Sequence, residues 1–332
     1  MKALVYLGPE KLRYQDVQEP ALELGSQLIR IAYVGICGSD MHAYLGHDNR
    51  RPAPLILGHE VSGVIEGGAR NGERVTVNPL VTCGSCAACM EGRDNLCPER
   101  QIISMPPREG GFADLVAIPN RNLVTVPKDI ALSKAALAEP IACGWHTVKL
   151  SLATLSGSCS TALVLGGGAI GLGAALSLKA QGVDSVTIVE PKPLRRAYLA
   201  DVCGQSVLAV APDSDLFDLV IDGVGYAATR ATASSCVRPG GVIGHIGLGE
   251  DGGGLDIRRM TLQEITFIGT YTYTAKDFEQ TAQAIFDGRL GSLDWTEIRP
   301  LADGANAFSD IRSDVVAAPK VLLQPETAPE RS

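Results

Sequence analysis

The stretch TALVLGGGAIGLGAALSLKAQG, residues 161–182, limits the possible folds more than any other part of the chain. An apolar, strand-like run ends in three glycines, and an apolar helix-like run follows. Gly166, Gly168 and Gly171 stand at the spacing G-x-G-x-x-G, with Ala169 and Ile170 opening the helix. The first two glycines permit a tight turn and close approach of a pyrophosphate to the helix N-terminus. The third lets the helix pack on the strand. The next strand-like run, DSVTIVE, ends on Glu190, at about the 20-residue distance such sites use. A carboxylate there accepts from adenosine ribose hydroxyls and repels a 2′-phosphate, which predicts NAD and disfavours NADP. Lys192, Arg195 and Arg196 lie just beyond, with Arg195 a candidate neighbour of the adenine. The competing reading is a packing turn in a domain of the same shape that binds no nucleotide.

Strand and helix patterns keep alternating after this turn, through DLVIDGVG, ATRATASSCV and GGVIGHIGL, which implies a parallel sheet. Upstream, KALVYL, QLIRIAYVGI, VSGVIEGG, ERVTVNP, ADLVAI and NLVTVP alternate with period two between Gly and Pro, as in an all-β, barrel-like domain. A chain of 332 residues is expected to divide in two. The character changes at Glu139-Pro140, where ACGWHTVKLSLA reads as helix. In TAKDFEQTAQAIFDG, Thr274 and Asp277 form a capping box, Phe278, Ala282, Ile285 and Phe286 share a face, and Gly288 is a stop. The expected fold class is α/β plus all-β. One domain takes residues 1–138 and 275–332, the other is inserted as 139–274, and the end PETAPERS is loose.

Residues 83–97, CGSCAACMEGRDNLC, hold four of the nine cysteines, and a disulfide knot, a redox pair and a metal cage compete for them. The chain opens without the charged and apolar regions of a secretory signal. The uncharged stretch between Lys149 and Lys179 is too rich in glycine for a membrane span. A cytoplasmic location is therefore expected, where thiols stay reduced. The spacing C-x2-C-x2-C-x7-C of Cys83, Cys86, Cys89 and Cys97 can wrap one Zn²⁺ tetrahedrally and leaves no open position, so this zinc is read as structural. An iron–sulfur cluster fits less well, because the run lacks the ferredoxin spacing. The net charge of −8 and the scattered basic pairs speak against a nucleic-acid surface, and so against a DNA-binding zinc ribbon.

A second donor set is sparser. GICGSDMH carries Cys37, Ser39, Asp40 and His42, and LGHE carries His59 and Glu60. One thiolate and one imidazole make half of an open zinc site, which needs a third protein ligand. Glu139 is a candidate by type. Alone, each of these residues is more often ordinary core, and their co-occurrence is what argues for a metal.

GICGSDMH, GHE, the four cysteines, AEP, GGGAIG and the closing KVLLQP together resemble the zinc-dependent medium-chain dehydrogenases over essentially the whole chain, the polyol and sugar-alcohol members above all. The resemblance implies a GroES-like catalytic domain with an inserted Rossmann domain, assembled as a homodimer or homotetramer. It implies two zinc ions per chain, one structural and one catalytic on Cys37, His59 and Glu139. Ser39 matches the first proton-relay group and His42 the last. Asp40 matches the carboxylate that orients His59, and Glu60 a glutamate beside the metal that can exchange with its water. The implied reaction passes a hydride from a secondary alcohol to NAD. Tyr44, Thr272 and Tyr273 are substrate-pocket candidates. Thr272 stands where sorbitol dehydrogenases carry an arginine, which speaks against sorbitol itself. The loop in VSGVIEGGARNGERV is shorter than in relatives, and the segment after Cys203 lacks one of their helices. Threonine 3-dehydrogenases share GICGSD, GHE and the cysteine lobe but tend to have Asp-Pro where this chain has Glu139-Pro140. A zinc- and NAD-binding sensor without turnover is the non-enzymatic alternative. Cys143, Cys159, Cys203 and Cys236 read as core thiols, and His47, His146 and His245 show no partner pattern.

Overall fold

The computed structural model describes residues 1–213 and 216–329, so the last three residues of PETAPERS lie outside it. The chain divides into two compact units. The first takes Met1–Glu139, Phe278–Asp287 and the chain from Thr296, and the second takes Pro140–Asp277 and Gly288–Trp295.

The first unit is built on a seven-stranded sheet whose central strand, Ser26–Gly35, runs antiparallel to Glu60–Glu66 with Gly35 opposite Glu60. Leu115–Pro119 pairs with the same strand. From the far end of the chain, Lys320–Gln324 continues along the edge that Leu115–Pro119 uses, with Leu322 opposite Gly35. The second half of the central strand is buried on both faces, so its alternation disappears into the run IAYVG. This register brings three chain segments to one end of the sheet: Ile36-Cys37, His59-Glu60 and Lys320. Gly35 is required there, because a Cβ would collide with the Glu60 carboxylate.

The second unit is a six-stranded parallel sheet. Its order runs Ser206–Leu208, Ser185–Val189, Thr161–Leu165, Phe217–Asp222, Val237–His245, Thr266–Gly269. Connections turn one way before Thr161–Leu165 in this order and the other way after it. The crevice at the carboxyl ends of Thr161–Leu165 and Phe217–Asp222 is therefore a topological switch point, where open α/β sheets bind ligands. Between Ser206–Leu208 and Phe217–Asp222 the described residues contain no helix, as expected for this shortened segment.

The helix Ala275–Phe286 begins with the expected capping box: Asp277 N donates to Thr274 Oγ1 (3.1 Å) and Thr274 N to Asp277 Oδ2 (3.4 Å). Asp277 does more than cap. Its fully buried carboxylate meets His146 Nδ1 at 2.6 Å and Lys149 Nζ at 2.7 Å, which gives His146 the partner its sequence context did not show. Burial alone would raise the Asp277 pKa, but the bonds from His146, Lys149 and Thr274 hold it well below the usual carboxylate range. Asp277→Asn should therefore cost on the order of 3 kcal/mol at neutral pH. A depressed native pKa stabilises only above the unfolded value, so the gap in melting temperature should narrow below about pH 4. Melting curves at neutral and acid pH test this, and a gap that widens in acid would refute the ion-pair account.

Candidate metal and dinucleotide sites

Cys37 is the N-cap of the helix Gly38–Tyr44, and this local geometry fixes Asp40 beneath it. Cys37 N donates to Asp40 Oδ2 (3.0 Å), Gly58 N donates to Asp40 Oδ1 (3.2 Å), and the same Oδ1 lies 3.5 Å from His59 Nδ1. One buried carboxylate thus ties the start of the helix to the segment carrying His59. Burial opposes its ionisation, but His59 and Arg51 lower its pKa below the ordinary value. Burial likewise disfavours a charged His59, yet Asp40 and Cys37 raise its pKa well above the ordinary value.

Ligand atoms of Cys37, His59 and Glu60 all lie within 4.8 Å of one another. Glu60 Oε1 accepts from Lys320 Nζ at 2.6 Å, and Lys320 also donates to Ile36 O at 2.8 Å. Glu60 Oε2 is buried with no hydrogen-bond partner among the described residues. A buried carboxylate oxygen without a donor is costly, and a cation beside the Cys37 thiol and the His59 imidazole would satisfy it. The donor set therefore fits a divalent metal of zinc type. Glu139, in the first turn of the helix Ala138–Thr154, is buried and close enough to help raise the Lys320 pKa, after Glu60 and Cys37. Its carboxylate does not join the 4.8 Å set.

Around this cluster Ser39 is half-buried and His42 is exposed, with the His42 ring 6.4 Å from that of His47. Sequence reasoning missed three residues here: Lys320, Arg51 and Ser104. Arg51 is almost wholly buried and donates to Ser104 O (3.0 Å), Asp48 Oδ2 (2.8 Å) and Ser39 O (3.3 Å). The signal for Lys320 was present in the closing KVLLQP, but nothing local linked it to Glu60.

The four cysteines of residues 83–97 also converge, with ligand atoms within 4.8 Å. All nine cysteines are free thiols, so no disulfide forms. Gly84 and Gly92 take left-handed φ values of 76° and 72°, which lets the backbone fold around the sulfurs. Ser85 N and Cys86 N donate to Cys83 Sγ (3.5 and 3.3 Å) and, with the Ser85 hydroxyl, lower its pKa to about 6. A thiolate already favoured by backbone donors suits a four-sulfur metal cage. Burial pushes Cys159 and Cys203 up to about 11, which leaves them as inert thiols.

In the second unit the glycine turn has the shape its spacing implies. Gly166 has φ 97°, and a Cβ on Gly171 would overlap Gly166 O. Gly168 is the N-cap of Ala169–Ala180, no side chain caps that helix, and a Cβ on Gly168 would meet nothing within 4 Å. That open, uncapped helix start fits a pyrophosphate. Glu190 is buried beside it and accepts from Gly167 N (3.0 Å) and Lys192 N (2.8 Å). Arg196 donates to Glu190 O and Pro191 O, while Arg195 is half-buried on the same helix, Pro193–Asp201.

The substrate-pocket candidates are divided between the two units. Tyr44 is buried and its ring lies 5.2 Å from that of Phe308, a core position. Thr272 and Tyr273 belong to the second unit, Thr272 with a left-handed φ of 46° and Tyr273 1 % exposed.

Two cation-shaped donor sets in a β-rich unit, and a dinucleotide turn in a parallel-sheet unit, define a metal- and nucleotide-dependent dehydrogenase. Residues 24–128 match the alcohol dehydrogenase GroES-like domain and residues 169–287 the zinc-binding dehydrogenase domain. The chain is 31 % identical to the L-galactonate-5-dehydrogenase of Escherichia coli K12, over 87 % of this chain and 88 % of that one. It is 30 % identical to the sorbitol dehydrogenase of Bacillus subtilis, over 98 % and 97 %. Its fold superimposes, with a TM-score of 0.85 and 25 % identity, on an alcohol dehydrogenase from Escherichia coli CFT073 solved with NADH, covering 98 % and 99 % of the two chains. The chain belongs to the zinc-dependent medium-chain alcohol dehydrogenase family, as its sequence motifs led us to expect. Among the described residues no helix is long and apolar enough to cross a membrane.

Proposed function

We propose that the protein oxidises a secondary alcohol of a polyol, sugar alcohol or related metabolite with NAD. The observation that carries this reading is the Cys37–His59–Glu60 cluster with its orphaned buried carboxylate oxygen. The names of the relatives, a sugar-acid and a polyol dehydrogenase, support the substrate class. Bound zinc would supply a Lewis acid for the alcohol oxygen, and bound nicotinamide the hydride acceptor.

The protein's own residues have distinct tasks. Cys37, His59 and a carboxylate, Glu60 or Glu139, hold the metal. Asp40 fixes the His59 ring through Nδ1. Ser39 Oγ takes the proton of the substrate hydroxyl as it gives up its own, and the exposed His42 imidazole returns a proton to solvent. Glu190 orients the adenosine ribose and disfavours a 2′-phosphate. The four-cysteine segment holds a second, structural zinc. The protein is further proposed to act in the cytoplasm as a homodimer or homotetramer.

Metal-replete enzyme should reduce NAD with at least one member of a panel of polyols, butanediols and sugar acids. Its kcat/KM should be at least about tenfold higher with NAD than with NADP. Turnover of threonine in place of these alcohols would overturn the substrate class. Binding of NAD and metal with no turnover on any alcohol would favour the sensor.

A further inference from the structure

Ser104 follows the short strand Gln101–Ile102, which pairs with Leu80–Val81, so these two strands bracket the four-cysteine segment. It is fully buried, and its φ of 72° lies in the left-handed region. A side chain is disfavoured there, whereas glycine would sit without strain. Such an outlier persists only where its surroundings over-determine it, and here they do. Its carbonyl accepts from buried Arg51 Nε at 3.0 Å. Its hydroxyl lies 3.3 Å from His59 Nδ1, nearer than Asp40 Oδ1 at 3.5 Å. The Asp40 carboxylate is already committed to Cys37 N and Gly58 N.

We propose that Ser104 is a positioning residue for His59. Its hydroxyl shares the Nδ1–H of the imidazole with Asp40, sets the tautomer and ring direction, and leaves Nε2 as the metal-donor nitrogen. The proposal rests on the reading of Cys37, His59 and Glu60 as a metal site. A neutral imidazole carries one N–H, so an acceptor at Nδ1 keeps the lone pair on Nε2. Arg51 fixes the Ser104 carbonyl, and through it the angle at which the hydroxyl meets the ring. The strained backbone is thus the means of delivering an oxygen that glycine lacks. Because Ser104 emerges from the strand pair that brackets the cysteine cage, it also joins that cage physically to the His59 site.

Two variants separate this role from a packing role. Ser104→Gly removes the hydroxyl and the backbone strain together, and Ser104→Ala removes only the oxygen. Each is loaded with zinc, and three properties are followed: loss of the Cys37-site metal to a chelator, the visible spectrum after cobalt replaces that zinc, and thermal melting. Both variants should release the metal about 10- to 100-fold more readily than the wild type and shift the cobalt bands, while Ser104→Gly melts no lower. Should Ser104→Gly melt lower, Ser104→Ala decides: metal loss at unchanged melting supports the proposal. Metal retention and an unchanged cobalt spectrum in either folded variant overturn it. Cys37→Ser is the control. If it holds as much metal as the wild type, the metal-site reading itself fails, and the failure is not Ser104's.

Discussion

Cys37→Ser is expected to yield a folded protein that no longer reduces NAD with any alcohol. The fold survives because Cys37 caps its helix through the backbone, with Cys37 N donating to Asp40 Oδ2. Serine is itself a favoured N-cap. Activity does not survive, because a serine hydroxyl is a poor zinc donor beside a thiolate. Polarisation of a substrate oxygen by a metal is worth several kcal/mol, and 1.36 kcal/mol is a factor of ten in rate. Turnover should therefore fall by at least about a thousandfold. Steady-state kinetics on the best alcohol of the panel, with metal content and circular dichroism alongside, check the result. Full activity in this variant would sink the zinc mechanism. Glu60→Gln and Glu139→Gln, measured for metal content in the same way, would show which carboxylate completes the donor set.

Lys320→Met should give the second large effect, on stability. Lys320 is 4 % exposed and is bound to Glu60 Oε1. Burial would lower its pKa, but Glu60 and Cys37 raise it above the ordinary lysine value. A raised native pKa contributes stability below the unfolded value and loses it only as the pH climbs through the native one. The pair is therefore intact throughout the neutral range. Removing the lysine leaves the buried Glu60 Oε1 without its donor, at a cost of about 3–5 kcal/mol. For a unit of this size that is a fall in melting temperature of about 6–20 °C. Because removing both partners of a buried pair is far cheaper than removing one, Lys320→Met with Glu60→Gln should recover much of the loss. Melting of the single and double variants decides it. A double variant as unstable as the single would mean that Lys320 stabilises by packing rather than by pairing.

The sequence by itself determined whatever lies within a short span of chain. The glycine turn with Glu190 occupies one strand–turn–helix–strand unit. The cysteine cage closes within one loop, and the Thr274–Asp277 box within one helical turn. Backbone geometry fixes how such residues face one another, so spacing alone is enough. The site around Cys37 was only half legible, because its parts come from distant segments. Register decided the rest: Gly35 opposite Glu60 and Leu322 opposite Gly35 set a carboxylate and, from the far end of the chain, its lysine beside Cys37. His146 gained Asp277 from the helix Ala275–Phe286, and His59 gained Ser104 from the segment after Gln101–Ile102. Those pairings follow from which strands share a sheet and which charges must be buried together, and burial is a property of the packed molecule rather than of any stretch of sequence.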